Sequence, residues 1–138
     1  MGAAAPYLDD VRQLATELPF KATVSVNVTD MAGRMCLADL SVGAAGGASW
    51  ERCCLGVPAV LVVLAENQVA GAVALEASGA AIKIESADQL GTTLPSVLVA
   101  LSDPGRLERM SDAAAGITNG DGVFRAIQAM GAAGGRDR

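Results

Sequence analysis

A continuous apolar run of strand length, residues 59–64, constrains the fold of this chain more than any other feature. A strand without polar alternation is buried on both faces, which is typical of a parallel sheet covered by helices. The segment that follows, 66–78, places Val69, Val73 and Ala77 at intervals of four, as in a helix, and ends before Gly79. Aromatic residues make up only 3% of the chain, so the core must be aliphatic.

The other segments alternate in the same way between strand and helix patterns. Predicted strands cover 23–28, 39–42, 59–64 and 80–84, and predicted helices cover 5–18, 30–37, 49–56 and 66–78. Further helical sequence starts at Asp88, with interruptions expected at Pro95 and Pro104, and a last helix contains Phe124. We therefore expect an α/β, Rossmann-like, mostly parallel sheet flanked by helices. One domain over 1–130 and a disordered tail over 131–138 are predicted.

Composition excludes several classes of function. The formal net charge is −5, which argues against a nucleic-acid partner, since that requires a basic face. The chain has no His, so a histidine base or a Ser-His-Asp triad within it is excluded. The strongly apolar run 57–65 is too short to span a membrane, and no charged leader precedes the first apolar residues. A cytoplasmic location follows as the expectation.

Three cysteines, Cys36, Cys53 and Cys54, give an odd count without zinc-ligand spacing. Reduced thiols are expected, with Cys53 and Cys54 packed between helix and sheet. No metal site and no cofactor are predicted.

A glycine-rich loop, 43–47, follows the predicted strand 39–42 and precedes a predicted helix. Ligands of parallel sheets bind at the carboxyl ends of strands, where glycines permit close approach of an anion. The spacing matches neither the dinucleotide fingerprint nor a P-loop, and by itself such a loop is more often a tight turn without a ligand.

Several runs resemble a known family. They are Asp30-Met31-Ala32, the stretch 38–58 with Ser49-Trp50-Glu51-Arg52-Cys53-Cys54-Leu55-Gly56, and Ala65-Glu66-Asn67-Gln68. Together they resemble the carboxyl-terminal domain of the UDP-sugar hydrolase of pseudaminic acid biosynthesis, within the predicted glycosyltransferases of polysaccharide biosynthesis. The resemblance covers about residues 2–85. It implies part of the carboxyl-terminal domain of a GT-B fold, and a UDP-linked sugar as ligand.

The resemblance also implies roles for individual residues. Nucleotide binding would fall to Val28, Met31, Gly46, Gly47, Ala48, Ser49 and Glu51, and sugar binding to Asn67 and Gln68. In this scheme the loop holds the pyrophosphate and Glu51 accepts the ribose hydroxyls, while Val28 lies at the uracil with Met31 nearby. A carboxylate is the natural acceptor for two hydroxyls, and amides both donate to and accept from a sugar.

Each role has a structural alternative. Glu51 in a first helical turn also complements the helix dipole, and Ser49 or Asn67 could simply cap a helix. Trp50 is expected to be a packing residue and Arg52 a solvated or ion-paired surface residue.

The sequence also departs from the family. Hydrolases of this kind carry their catalytic histidine in an amino-terminal domain, and neither is found here, so the catalytic residue is unknown. Met1 and Gly2 look like the end of a strand whose earlier part and neighbours lie outside the chain, which makes self-association through open strand edges conceivable. Three functions remain: the UDP-sugar-binding half of a UDP-2,4-diacetamido-2,4,6-trideoxy-β-L-altropyranose hydrolase, the same half of a polysaccharide glycosyltransferase, or a non-catalytic nucleotide-sugar-binding module.

Overall fold

The computed structural model describes residues 1–133 as two compact units. The first covers Met1–Gly33, and the second begins at Arg34. A short helix, α2 (Met31–Cys36), contains the boundary between them. It starts as the sequence predicts, because a carboxylate oxygen (Oδ1) of Asp30 accepts a hydrogen bond of 2.9 Å from the amide of Gly33.

The first unit contains helix α1 (Leu8–Glu17), which stops before Pro19 as predicted. The strand predicted over 23–28 does not form, and this expectation was wrong. The segment bonds instead to the start of the chain: the ammonium group of Met1 donates to the Ser25 carbonyl at 2.8 Å, and the Asn27 amide donates to the Met1 carbonyl at 3.0 Å. β-Branched residues favour a strand only where a neighbouring strand completes the ladder.

The second unit is built on three parallel strands, β1 (Ser41–Ala44), β2 (Ala59–Val62) and β3 (Ala81–Ile84), in the order β1-β2-β3. Ser41 lies opposite Ala59, and Ala59 lies opposite Ala81. All four residues of the central strand β2 are buried, as the unbroken apolar run predicts.

Helices follow each strand, and four of them pack on the two faces of the sheet: α3 (Ala48–Cys54), α4 (Val69–Ala77), α5 (Leu90–Ala100) and α6 (Pro104–Ala115). The last helix, α7 (Gly122–Ala133), is exposed over residues 122–131. One face of the sheet packs Leu61 against a cluster that includes Leu75, and the other packs Val60 and Val62 against a cluster that includes Met110. The fold is thus the expected parallel α/β sheet flanked by helices.

Two details of the helical region differ from expectation. Pro95 lies inside α5 instead of interrupting it, because Leu94 and Val97 on either side pack onto the sheet and hold the helix together. Pro104, by contrast, does mark a boundary as the first residue of α6, which Asp103 caps. The predicted start of the tail, residue 131, falls within α7, and residues 134–138 lie outside the described part of the chain.

Candidate functional site at the carboxyl edge of the sheet

Two loops meet at the carboxyl edge of the sheet. Residues 45–47 connect β1 to α3, and residues 63–68 connect β2 to α4. Since β1 and β2 are hydrogen-bonded neighbours running in parallel, the two loops necessarily lie side by side. They define a groove of about 500 Å³ lined by Ala45, Gly46, Gly47, Trp50, Asn67, Gln68 and Gly71.

The glycine loop leaves open space at this edge. Gly47 has φ −54°, which any residue adopts, and a Cβ placed there would meet nothing within 4 Å. A Cβ at Gly46 would lie 3.8 Å from the Gln68 amide nitrogen (Nε2), an ordinary contact. Neither glycine is therefore required by backbone strain or by crowding within the protein. Without side chains, both glycines leave the backbone of the loop open to close approach by another molecule.

The loop also offers hydrogen-bond donors. The amide of Ser49 donates to the Gly46 carbonyl at 2.9 Å, and the amide of Trp50 donates to the Gly47 carbonyl at 3.1 Å. Within the described residues, the preceding amides of Gly46, Gly47 and Ala48 donate to no protein acceptor. Consecutive free amides at such a turn are the ordinary way that a protein binds an anion.

The first turn of α3 separates two predicted ligand residues. The side chain of Glu51 is exposed, and no hydrogen bond or ion pair engages it within residues 1–133. Ser49, in contrast, is buried, and its hydroxyl finds no hydrogen-bond partner. Ser49 therefore does not serve as an N-cap through its side chain, which leaves the capping alternative unsupported.

Asn67 and Gln68 both line the groove but differ in their bonding. The Gln68 side-chain oxygen (Oε1) accepts a 3.0 Å hydrogen bond from the amide of Leu64 and so closes the loop after β2. Asn67 is exposed, and no protein group in the described region binds its side chain. The Asn67 side chain is therefore free to contact a ligand. The Gln68 side chain instead stabilises the loop through its oxygen, and its amide nitrogen lies towards Gly46.

Trp50 and Gly71 belong to the groove, although the sequence reasoning did not place them there. Trp50 was expected to be a packing residue, but 47% of it is exposed. A Cβ at Gly71 would lie 3.9 Å from the Trp50 ring, so Gly71 and Trp50 are neighbours in the groove. Helical spacing gives the missing signal: Trp50 follows Gly47 by three residues, and Gly71 follows Asn67 by four.

Arg52 and the cysteines also differ from expectation. Arg52 was expected at the surface, but it is only 9% exposed. Desolvation by burial lowers its pKa, while the nearby Glu51 opposes the shift. Cys53 is buried as expected, and burial raises the pKa of its thiol, which keeps it protonated and unreactive. Cys54 and Cys36 are exposed, so the prediction that both neighbouring thiols are buried was wrong for Cys54.

The two residues predicted near the uracil, Val28 and Met31, belong to the first unit. Val28 is half-buried and Met31 is exposed. Every residue that lines the groove belongs to the second unit, so the groove exists without them.

Two further findings concern only residues 1–133. No helix there has both the length and the apolar character needed to cross a bilayer. Nor does that part of the chain contain a group of three or more His, Cys, Asp or Glu side chains arranged to hold a metal ion.

A three-stranded parallel sheet with covering helices and a glycine loop at its carboxyl edge defines the class: a Rossmann-like α/β domain. The sequence assigns it more closely. The model of the glycosyltransferase family 28 C-terminal domain matches residues 5–125, and the chain belongs to this family.

Individual relatives agree with that assignment. The chain is 35% identical over 85 residues to the spore coat polysaccharide biosynthesis protein SpsG of Bacillus subtilis (strain 168), covering 61% of this chain and 24% of the relative. The crystal structure of Acinetobacter baumannii MurG superposes with a TM-score of 0.78 and 25% identity, covering 89% of this chain and 38% of that one. This likeness identifies the fold as that of a GT-B carboxyl-terminal domain. The chain spans well under half the length of either relative.

Proposed function

We propose that this chain binds the UDP part of a UDP-sugar at the carboxyl edge of its sheet and forms the donor half of a glycosyltransferase of polysaccharide biosynthesis. One observation carries the proposal. Free amides at Gly46, Gly47 and Ala48 are followed, within one helical turn, by the unengaged carboxylate of Glu51. The amides suit a diphosphate, and the carboxylate suits the two hydroxyls of a ribose.

The remaining groove residues fit a sugar attached to that diphosphate. Asn67 offers a free amide that can both donate and accept, and Trp50 offers a flat apolar wall. Ser49 contributes through its position in the turn, since its amide is already bonded to Gly46. Val28 and Met31 stay a proposal for the uracil, as the resemblance implies.

A UDP-sugar hydrolase is the second candidate. A resemblance to the hydrolase of pseudaminic acid biosynthesis favours this candidate. The resemblance lies in the run Trp50-Glu51-Arg52-Cys53-Cys54-Leu55-Gly56 and in the Asn67-Gln68 pair. Water would replace the sugar acceptor, and UDP would leave in either case. The described groove binds the donor, which both reactions share, so the group that activates water or an acceptor must come from elsewhere.

Calorimetric titration of the 138-residue chain with UDP, ADP and GDP tests the proposal. We expect binding of UDP in preference to both purine nucleotides. Glu51→Gln should weaken UDP binding at least about tenfold, because hydrogen bonds to a charged group contribute roughly 1.5–3 kcal/mol each. The melting temperature should change little, since Gln keeps the size and most of the helix propensity.

Glu108→Gln is the matched control. Glu108 is an equally exposed carboxylate on α6, away from the glycine loop, and its loss should leave UDP affinity unchanged. If Glu51→Gln instead lowers the melting temperature without weakening UDP binding, Glu51 only complements the helix dipole and the proposal loses its central support.

A further inference from the structure

Arg52 is a buried cation that the proposed function does not yet use. It lies on α3, and one guanidinium nitrogen (Nη1) donates a 3.4 Å hydrogen bond to the carbonyl of Ala44. Ala44 is the last residue of β1, and Gly46 follows two residues later. Because consecutive Cα atoms are 3.8 Å apart, the guanidinium lies within about 10 Å of the glycine loop.

Gly43 provides the room for this guanidinium. A Cβ placed on Gly43 would lie 2.7 Å from the second terminal nitrogen of Arg52 (Nη2), closer than real contacts allow. Any side chain at Gly43 would therefore push Arg52 away from Ala44. The missing side chain of Gly43 thus allows the Arg52 guanidinium to lie against the backbone at the end of β1.

The guanidinium of Arg52 forms no salt bridge in the described part of the chain, although the charge of the neighbouring Glu51 acts on it. Its Nε atom is buried without a hydrogen-bond partner. A buried guanidinium that forms no salt bridge and leaves a donor unsatisfied is costly to keep. Among the described residues, the other buried polar side-chain atom without a partner is the Ser49 hydroxyl, on the same face of α3 one turn earlier.

We propose that Arg52 is a positioning residue for the diphosphate: it holds the end of β1 that leads into the glycine loop, and its buried charge favours an anion in that loop. The inference rests on the proposed function, because it assumes that the diphosphate binds there. The positive charge of Arg52 would make the site bind a nucleoside diphosphate more tightly than an uncharged nucleoside.

The test compares UDP with uridine in the same protein sample by NMR-detected titration, which measures weak binding of both. The quantity of interest is the ratio of the two affinities, since the ratio does not depend on how much of a variant is folded. Arg52→Met removes the charge and should reduce the preference for UDP about tenfold while uridine binding stays nearly unchanged. Arg52→Lys keeps the charge and should restore most of the preference.

Gly43→Ala provides an independent variant should Arg52→Met fail to fold. It leaves the arginine in the chain but displaces its guanidinium, and it should also lower the preference for UDP. An unchanged ratio in Arg52→Met or in Gly43→Ala, with or without a lower melting temperature, would overturn the inference and make Arg52 a purely structural clamp. A wild-type chain that does not prefer UDP to uridine would instead refute the proposed function itself.

Discussion

The two edges of the sheet present hollows of similar size but of different chemistry. The groove at the carboxyl edge measures about 500 Å³, and a hollow at the amino edge, lined in part by Asp39, Pro58 and Ser111, measures about 640 Å³. At the amino edge the Ser111 hydroxyl donates to the Gly56 carbonyl at 2.7 Å. The carboxylates of Asp39 and Glu108 also line this hollow, and neither forms a hydrogen bond or ion pair within residues 1–133. At the carboxyl edge three amides and a carboxylate are unengaged. For an anionic ligand, the free amide donors at the carboxyl edge and the two carboxylates that line the amino-edge hollow distinguish the two edges more than volume does.

The largest effect should follow from a negative charge in the glycine loop. Gly47→Asp fits the open space and the helical φ at this position, and Asp suits a helix start, so the fold should hold. A carboxylate beside the diphosphate should weaken UDP binding at least about 100-fold, because like charges in contact cost several kcal/mol. Calorimetry measures the change.

Gly122→Asp is its control. Gly122 begins α7 and is also surrounded by open space, so this variant adds the same charge at a comparable backbone position remote from the loop. UDP binding that falls equally in both variants would point to the overall charge and not to the glycine loop as the cause.

A smaller effect should separate the two amides of the groove. Asn67→Ala should weaken binding of UDP-N-acetylglucosamine by roughly two- to tenfold without changing the melting temperature, since a neutral hydrogen bond contributes about 0.5–1.5 kcal/mol. Gln68→Ala should lower the melting temperature, because the Leu64 amide loses its acceptor. Trp50 is the single tryptophan of the chain and lines this groove, so its fluorescence can report binding. Identical behaviour of the two variants would contradict the division of roles.

The smallest effect on binding is expected at the amino edge. Ser111→Ala removes a partly buried hydrogen bond and should cost about 1 kcal/mol in the free energy of unfolding, with UDP affinity unchanged. Ser102→Ala, in the same hollow but exposed, should cost less. Thermal unfolding and UDP titration of both variants check this. Loss of UDP affinity in Ser111→Ala would mean that the amino edge takes part in binding.

Local patterns predicted most of the second unit. The apolar run of β2, the spacing of α4 and the left-handed glycine after it, Gly79 with φ +82°, depend on neighbours in sequence. The strand predicted over 23–28 failed because a strand also needs a partner from elsewhere in the chain. The local pattern of residues 23–28 does not contain that information.

The candidate site was also predicted only in part. The motif indicated the glycine loop, Glu51 and Asn67. The burial of Trp50 and Arg52 was predicted wrongly, because it was judged from residue type alone. On α3 the buried positions are Ser49, Arg52 and Cys53, a helical spacing that turns Trp50 outwards. Hydrophobicity alone would bury Trp50 and expose Arg52. The packing of α3 against the sheet and α6 produces the observed arrangement.

Amide chemical shifts recorded during a UDP titration show which edge of the sheet binds the nucleotide, because both edges are observed in one experiment. We expect the largest shift changes at the carboxyl edge, at Gly46, Gly47 and Glu51, and unchanged shifts for the amides of Gly56 and Ser111 at the amino edge. Changes concentrated at Gly56 and Ser111, with the glycine loop unaffected, would contradict binding at the carboxyl edge.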